Sequence, residues 1–271
     1  MDTASQEIDI DSIVRQRAGR RARFVPRWLT GALARFIHQD YINGYLRQGR
    51  VGVDFCRGTL DHLGVTVSVE GIANIPTDGT RCTFVSNHPL GAIDGVTLGY
   101  VIGSRCDSHI KILVNDLLMN LKGLAPLCIP VNKIGRQDRN LSALIDEAYR
   151  SHNHIITFPA GLCSRRGDDG VIRDLEWKPS FVKKSVETGR TVVPIHFIGE
   201  NSKRFYTVAR ICKKLGMKVN LAMALLPDEM YRSRGRHYRV IFGRPIPPDT
   251  FDRTRTAKEW AEWTKQQVYK I

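Results

Sequence analysis

The chain lacks the residue patterns that define several large enzyme classes. It contains no Gly-x-Ser-x-Gly elbow, no Gly-x4-Gly-Lys-Ser/Thr phosphate loop, no His-Glu-x-x-His and no Gly-x-Gly-x-x-Gly. Hydrolysis by a serine nucleophile, nucleotide hydrolysis, zinc proteolysis and dinucleotide redox chemistry therefore lose support. We expect no metal and no cofactor.

Cysteines are few and widely separated. The six cysteines lie at least 22 residues apart, so no pair has the spacing of a metal site or a redox motif. Cys82 and Cys128 fall inside apolar runs and are interpreted as small buried hydrophobic residues. This usage indicates a reducing compartment.

Signals for export or membrane spanning are also missing from the sequence. The first residues are acidic, with Asp2, Glu7, Asp9 and Asp11, whereas a signal peptide starts with basic residues. No window approaches the ~18 apolar residues that a spanning helix needs. We therefore expect no signal peptide and no transmembrane helix. Any contact with a membrane is expected to be peripheral, at its cytoplasmic face.

Basic residues are in excess. There are 41 lysines and arginines against 27 acidic residues, which gives a formal net charge of +14. This excess favours anionic partners, such as a membrane surface, phosphorylated substrates, an acidic carrier protein or nucleic acid. Nucleic acid has the least support, because the chain has no zinc-finger spacing and no aromatic RNA-binding motif.

Residues 1–62 form the first of two predicted regions. An acidic tail to about residue 11 precedes short basic helices, one opened by Pro26, one at Asp40–Leu46 and one from Val51 to Leu63. The helices are interpreted either as an amphipathic surface for an anionic membrane, anchored by Trp28 and Phe36, or as a packed layer with solvated arginines.

Residues 63–271 show strands alternating with helices. The predicted strands are Val65–Val69, Thr83–Ser86, Ile110–Val114, Leu127–Val131, Ile155–Phe158, Thr191–Ile198 and Tyr238–Phe242. The predicted helices are Asn140–Tyr149, Phe181–Thr188, Lys203–Leu215 and Lys258–Val268. This alternation predicts an α/β fold with a mixed, mostly parallel sheet flanked by helices and an N-terminal helical appendage.

The segment Ser86–Gly95 places a histidine and a carboxylate where a strand passes into a helix. Ligands collect at this end of strands in open α/β sheets. Pro89 keeps His88 out of helical geometry, and Gly91 permits a tight turn that lets Asp94 orient the imidazole. From these residues alone, His88 is either a catalytic base or a histidine in a strand-end turn whose ring is hydrogen-bonded within the protein. Asp94 is either its partner or a carboxylate favoured at a helix N-terminus.

A second loop follows the strand that ends at Phe158. It reads Pro-Ala-Gly-Leu-Cys-Ser-Arg-Arg, and glycine N–H groups, Ser164 and Arg165 suit an anionic group or a developing oxyanion. Taken alone, the loop is better interpreted as a polar surface turn that holds two arginines. Two further elements are Lys133, after the strand 127–131, and Pro194, whose place inside an apolar strand indicates an edge or a bulge.

In this order and spacing, the four elements resemble the lysophosphatidate acyltransferase (PlsC-type) family across about residues 66–199. Its first motif, Asn-His followed by Asp, is matched by Asn87, His88 and Asp94. Its third motif, Phe-Pro-Glu-Gly-Thr-x-Ser, is matched by Phe158, Pro159, Gly161 and Ser164. The second and fourth motifs are matched by Lys133 and Pro194.

The resemblance implies a glycerolipid acyltransferase-like fold and transfer of a fatty acyl group from a thioester to the hydroxyl of a lyso-lipid. His88 and Asp94 would be the base and its orienter. The implied substrate-binding residues are Asn87, Lys133, Phe158, Pro159, Gly161, Ser164 and Arg165. The implied donor is acyl-carrier protein, received by basic residues such as Arg204, Arg210, Lys213 and Lys214, or acyl-CoA.

The chain departs from the family pattern at three points. Five residues instead of four separate His88 from Asp94, Ala160 replaces the glutamate, and Lys133 replaces an arginine. Because the last two positions are associated with glycerol-phosphate in the family, the pattern looks more like the branch that acylates lyso-aminolipids of the ornithine or glycine type. The alternatives are a 1-acylglycerol-3-phosphate O-acyltransferase proper and a catalytically inactive basic protein that binds lipid or nucleic acid.

Overall fold

The computed structural model describes residues 7–131, 139–217 and 221–271. Their strands are β1 (Thr66–Glu70), β2 (Cys82–Ser86), β3 (Ile110–Val114), β4 (Cys128–Pro130), β5 (His154–Thr157), β6 (Arg165–Arg166), β7 (Ile172–Arg173), β8 (Thr191–Ile198) and β9 (His237–Phe242). Their helices are α1 (Ile10–Ala18), α2 (Arg27–Phe36), α3 (Gln39–Leu46), α4 (Gly52–Leu63), α5 (Ala92–Arg105), α6 (Arg139–Arg150), α7 (Ser180–Thr188), α8 (Lys203–Lys214), α9 (Leu226–Arg232) and α10 (Ala257–Val268).

Seven strands form one mixed sheet in the order β1-β9-β8-β2-β5-β3-β4. Strands β1 and β9 run parallel to each other and antiparallel to the other five. β6 and β7 form a separate antiparallel pair. The predicted fold class is therefore confirmed, and the predicted strands and helices agree with the observed ones to within a residue or two at each end.

The central strand β2 has no exposed residue, because it is covered on both faces and paired on both edges. Strands buried in this way are near-continuous apolar runs, and Cys-Thr-Phe-Val fits that pattern. The cysteines expected in the interior, Cys82 and Cys128, are buried. The loop after Ser86 therefore leaves the sheet from its buried centre.

Pro194 lies in an interior strand, since β8 is flanked by β2 and β9. The prediction of an edge strand is wrong. The ladder is interrupted beside Pro194, but the extra residue lies in the segment that pairs with β8 and not in β8 itself. Val192 pairs with Ile246 and Ile195 pairs with Phe242, so one side of the ladder has one residue more than the other. Proline is tolerated at such a break because the ladder there does not need its missing N–H.

The N-terminal helices are attached to the rest of the chain by specific contacts. Helix α4 packs along α5, and Phe55, Cys56 and Leu60 belong to the main core. His38 Nε2 lies 2.9 Å from Asp228 Oδ1, and its ring stacks on Tyr231 with 3.6 Å between centroids. A helical layer is thus continuous with the α/β core.

Two expectations for this region need correction. Phe36 does not anchor a membrane surface, because it packs against the cluster that contains Phe205, under the guanidinium of Arg204. The acidic tail does not extend to residue 11. The Ile8 backbone exchanges two hydrogen bonds with the amide of Asn43, and α1 starts at Ile10.

In the part of the chain that the structure describes, none of the helices is both long enough and apolar enough to span a bilayer.

Candidate active site

The two loops singled out in the sequence lie side by side at one edge of the sheet. β2 pairs in parallel with β5, so the loop after Ser86 and the loop after Thr157 leave the sheet at the same edge. Parallel pairing thus brings together segments that are 70 residues apart in the chain.

His88 and Asp94 form a hydrogen-bonded pair at this edge. His88 Nδ1 lies 3.0 Å from Asp94 Oδ2. Because an ionised carboxylate only accepts hydrogen bonds, Nδ1 carries the proton and Nε2 is left as the basic nitrogen. No described residue hydrogen-bonds to Nε2. The side chain of His88 is 16% exposed, whereas that of Asp94 is fully buried.

A turn at Gly91 absorbs the fifth intervening residue. Gly91 has a φ of +86°, and α5 begins at the next residue. Asp94 Oδ2 also accepts hydrogen bonds from the N–H groups of Leu90, at 3.0 Å, and Gly91, at 3.2 Å. The Gly95 N–H donates to Oδ1 at 2.9 Å. The first turn of the helix therefore fixes the carboxylate that orients His88.

Electrostatics couple the two side chains. Burial lowers the pKa of His88, whereas the charge of Asp94 and its hydrogen bond raise it. The two raising effects together outweigh burial, so the pKa of His88 lies above its ordinary value. Burial raises the pKa of Asp94, but His88 and the backbone donors lower it more, and its pKa lies below the usual range. The pair is thus an ionised carboxylate beside an imidazole of increased basicity.

The third-motif loop forms one wall beside this pair. The ring of Phe158 lies 4.2 Å from the imidazole of His88, centroid to centroid. Pro159 is buried, and Gly161 is exposed with a φ of +67°. The Gly161 N–H donates to the Phe158 carbonyl at 2.9 Å, so this amide closes the turn and is not available to an oxyanion.

Ser164 joins the two loops beneath the imidazole. Its N–H donates to the His88 carbonyl at 2.8 Å, and its hydroxyl donates to Asp174 Oδ1 at 2.6 Å. Asp174 is 3% exposed and also accepts the His88 N–H at 3.1 Å. Asp174 is not marked by any sequence motif, because it lies in an irregular segment.

Arg165 lies against helix α8 with unused hydrogen-bonding capacity. Nη1 donates to the carbonyls of Cys163 and Ser164, and the guanidinium stacks over Phe205. Nη2 is buried and has no hydrogen-bond partner among the described residues. Arg165 also lowers the pKa of His88 by its charge, so it acts at the site.

The side-chain amide of Asn87 makes its hydrogen bonds to the backbone of Phe197. Its Oδ1 accepts the Phe197 N–H at 2.7 Å, and its Nδ2 donates to the Phe197 carbonyl at 2.9 Å. Asn87 is 3% exposed. This double hydrogen bond ties the end of β2 to β8 and thereby holds the residue before His88 in place.

Two further motif positions, Lys133 and Ala160, are those at which the chain departs from the family pattern. Lys133 lies outside the described residues. Ala160, at the position of the family glutamate, is buried in a cluster with Trp177 and Phe181. The exposed Lys178 instead lies beside the loop, since a Cβ built on Gly161 would be 3.6 Å from its Nζ.

Cys163 belongs to the third-motif loop but is not a reactive thiol. Cys163 is fully buried, and burial raises the pKa of its thiol to about 12, so it is a neutral packing residue. Within the described ranges, no three His, Cys, Asp or Glu side chains come together as metal ligands.

Comparisons with known proteins identify the family of this chain. A family model described as Acyltransferase matches residues 12–271. A lyso-glycine lipid O-acyltransferase of Phocaeicola vulgatus is 50% identical over 266 residues, covering 97% of this chain and 95% of that protein. One of the same name from Bacteroides thetaiotaomicron is 49% identical, covering 97% of each chain.

A solved structure is also similar. The crystal structure of the 1-acyl-sn-glycerophosphate acyltransferase PlsC from Thermotoga maritima has a TM-score of 0.48 and 18% identity, covering 96% of this chain and 87% of that one. The resemblance drawn from the motifs is confirmed by the family model and by the two relatives of about half identity. This chain belongs to the acyltransferase family, and it is an O-acyltransferase.

Proposed function

We propose that this enzyme transfers a fatty acyl group from an acyl thioester to the hydroxyl of a lyso-lipid, with His88 as general base. The observation that carries the proposal is the 3.0 Å contact between His88 Nδ1 and Asp94 Oδ2, which places the Nδ1 proton on the carboxylate side and makes Nε2 the nitrogen that can accept a proton. This intact pair supports an active enzyme over an inactive lipid- or nucleic-acid-binding protein.

The proposed reaction needs no covalent enzyme intermediate. Nε2 of His88 removes the proton of the acceptor hydroxyl as its oxygen bonds to the thioester carbonyl carbon. The C–S bond then breaks, and the imidazolium returns the proton to the leaving sulfur. A positioned base of this kind contributes about 10²–10⁴-fold in rate.

Asp94 is the proposed orienting residue. It accepts the Nδ1 proton, selects the tautomer with a basic Nε2 and stabilises the imidazolium that forms. Its three backbone hydrogen bonds, from Leu90, Gly91 and Gly95, keep it ionised and prevent it from rotating away.

The acceptor is proposed to be a lyso-aminolipid of the glycine type. Two relatives of about half identity carry the name lyso-glycine lipid O-acyltransferase. A glycine linked through its nitrogen presents a carboxylate, which Arg165 and Lys178 suit because they bring positive charge to the loop. A glutamate at position 160 would add a negative charge beside these two cations. This chain has the uncharged, buried Ala160 there, so the positive charge of the loop is not offset.

The proposed site of action is the cytoplasmic face of an anionic membrane. Phe24 and Trp28 are 70% and 71% exposed, and the neighbouring Arg23 and Arg27 are exposed as well. Aromatic side chains flanked by arginines suit the interface between lipid head groups and water.

The donor is proposed to be acyl-carrier protein or acyl-CoA. Arg204, Arg210, Lys213 and Lys214 lie exposed on α8, the helix against which Arg165 packs. An acidic carrier protein or a phosphorylated cofactor fits such a surface by charge.

The decisive experiment is mass spectrometry of the products of the purified enzyme. Lyso-glycine lipid, lyso-ornithine lipid and lysophosphatidate are each supplied with acyl-carrier protein and with CoA thioesters. Acylated glycine lipid is the expected main product. Lysophosphatidate as the only acceptor would favour the 1-acylglycerol-3-phosphate alternative.

The base is tested in the same assay with His88→Ala. We expect at least a hundredfold loss of product formation, with unchanged thermal unfolding and vesicle binding. His152→Ala, which removes an exposed histidine, is the matched control and should keep wild-type activity. Full activity of His88→Ala contradicts the mechanism.

A further inference from the structure

Asp174 connects the two loops of the site from below. Its Oδ1 accepts two hydrogen bonds, from the His88 N–H at 3.1 Å and from the Ser164 hydroxyl at 2.6 Å. Its Oδ2 accepts one from Trp177 Nε1 at 2.8 Å. The carboxylate is 3% exposed, and all three partners are donors. Burial raises the pKa of Asp174 above its ordinary value, although the hydrogen bonds from Ser164, Trp177 and His88 act in the opposite direction. The three donors are the partners that an ionised carboxylate takes.

The hydrogen bonds form a closed ring around the base. His88 donates its N–H to Asp174, Asp174 accepts from the Ser164 hydroxyl, and the Ser164 N–H returns to the His88 carbonyl at 2.8 Å. The His88 carbonyl is therefore held by the third-motif loop, and the His88 N–H is held by Asp174, which is itself bonded to that loop. A residue held in this way cannot shift relative to Ser164 without breaking a buried hydrogen bond.

The C-terminal helix supports Asp174 from the other side. The Asp174 N–H donates to the hydroxyl of Tyr269 at 2.8 Å, and Lys265 Nζ donates to the Asp174 carbonyl at 3.0 Å. Every polar group of Asp174 is thus engaged. The carboxylate is therefore fixed in one orientation, and two of its three donors belong to the two loops of the site.

The charge of Asp174 also acts on the imidazole. The charged groups that act on His88 are Asp94 and Asp174, which raise its pKa, and Arg165, which lowers it. The thiol of Cys163 is neutral at working pH, because burial raises its pKa to about 12.

We propose that Asp174 is a positioning residue for the acyl transfer, which holds His88 in register with the Ser164 loop and supports its protonated form during the reaction. This inference rests on the proposed role of His88 as base. Because Asp174 is 3% exposed, its proposed action is through the placement and charge of the imidazole.

The variants are chosen so that a misfolded protein is not mistaken for a positioning effect. Asp174→Asn removes the charge but turns an amide N–H towards Trp177 Nε1 or towards the other two donors. The double variant Asp174→Asn/Trp177→Phe removes the opposing donor at Trp177, and Trp177→Phe alone is the packing control. Asp146→Asn, the same change at an ion pair with Lys184, is the control for charge.

Two readouts are measured for each variant. The first is steady-state kinetics, in which kcat should fall at least about tenfold while KM for the acceptor changes less than about threefold, because misplacement of the base affects the chemical step. The second is the NMR titration of ¹⁵N-labelled His88, assigned by its absence in His88→Ala. Its pKa should fall in the Asp174 variants and remain at the wild-type value in both controls.

Each outcome decides the proposal. It is overturned if the Asp174 variants match Trp177→Phe in both readouts, or if only one of kcat and the His88 pKa changes. If no Asp174 variant folds, Ser164→Ala removes one donor and leaves the carboxylate, and an unchanged kcat overturns the proposal. The NMR titration needs no substrate. If the wild-type enzyme forms no product, the proposed function is refuted. The effect of Asp174 on the pKa of His88 is still tested by the titration.

Discussion

His88 Nδ1 and Asp94 Oδ2 lie 3.0 Å apart although five residues separate them in the chain. The turn at Gly91 takes up the extra residue through its positive φ, and the helix that follows points the carboxylate back at the imidazole. Whether the histidine and the aspartate can meet therefore depends less on the number of residues between them than on the direction in which the following helix starts.

The pH dependence of the reaction should report this pair. His88 acts as a base only when neutral, so kcat/KM should rise with pH through the pKa of His88. Because Asp94 raises that pKa, the midpoint should lie above about 6.5, the ordinary value for histidine. In Asp94→Asn the midpoint should move to lower pH, and kcat should fall by roughly 10²–10⁴-fold because the imidazole is no longer held in the right tautomer. A pH–rate profile of both proteins measures this, and an unshifted midpoint would contradict the pairing.

Gly91 should not tolerate a side chain. A Cβ there would lie 2.9 Å from Cys163 Sγ and 3.0 Å from a methyl group of Leu226, in addition to the strain of its φ of +86°. We expect Gly91→Ala to lose activity and about 2–4 kcal/mol of unfolding free energy.

Gly79 provides a matched control for Gly91. Its φ is +84°, but a Cβ there would meet nothing within 4 Å. Gly79→Ala should therefore show only the cost of the backbone strain, about 1–2 kcal/mol. Urea denaturation measures both variants, and equal losses would show that crowding at Gly91 is unimportant.

Arg190 should be irreplaceable by lysine. It is fully buried and donates five hydrogen bonds to the carbonyls of Cys82, Ala148, Tyr149, Ser151 and Asn153. Burial lowers its pKa to about 10, so the guanidinium is still charged at neutral pH. A lysine ammonium has three donors on one atom and leaves buried carbonyls without partners.

The expected loss for Arg190→Lys is about 2–4 kcal/mol of unfolding free energy. Arg150→Lys is the control, because the side chain of Arg150 is 71% exposed and its change should stay within about 0.5 kcal/mol. Thermal unfolding of the two variants at one pH compares them. A similar melting temperature would mean that lysine satisfies the carbonyls after all.

Binding to vesicles should depend on the exposed aromatic residues of the N-terminal region. Phe24→Ser/Trp28→Ser should reduce partitioning to anionic vesicles at least about tenfold, because burial of each ring contributes about 1.5–3 kcal/mol. Val186→Ser, a change at another exposed apolar residue, is the control on α7. Point variants are needed, since removal of residues 1–62 would also remove Phe55 and Cys56 from the main core. Unchanged sedimentation with anionic vesicles would refute the membrane role of this surface.

Much of the fold was predictable because its signals are local. Apolar runs such as Cys82–Val85, helical periodicity and the glycine at the end of α4 each depend on residues within a few positions of one another. The pairing of His88 with Asp94 belongs to this class, since both lie within one turn and the start of the following helix.

Local sequence signals did not predict the place of β8 in the sheet or the side of its helix on which the ring of Phe36 packs. A proline inside a strand indicates an edge or a bulge, and only strand order excluded the edge. Phe36 shares a helix with the exposed Trp28, so the helical pattern alone did not tell which of the two rings faces Phe205.

The sequence by itself determined the alternation of strands and helices, the family and the His–Asp pair, because these depend on short-range pattern and motif. Only the tertiary structure decided what surrounds the imidazole. Asp174 lies 86 residues from His88 and contacts it because parallel pairing of β2 with β5 brings their loops together, with the C-terminal helix behind them. Such contacts depend on the path of the whole chain, and no local pattern marks them.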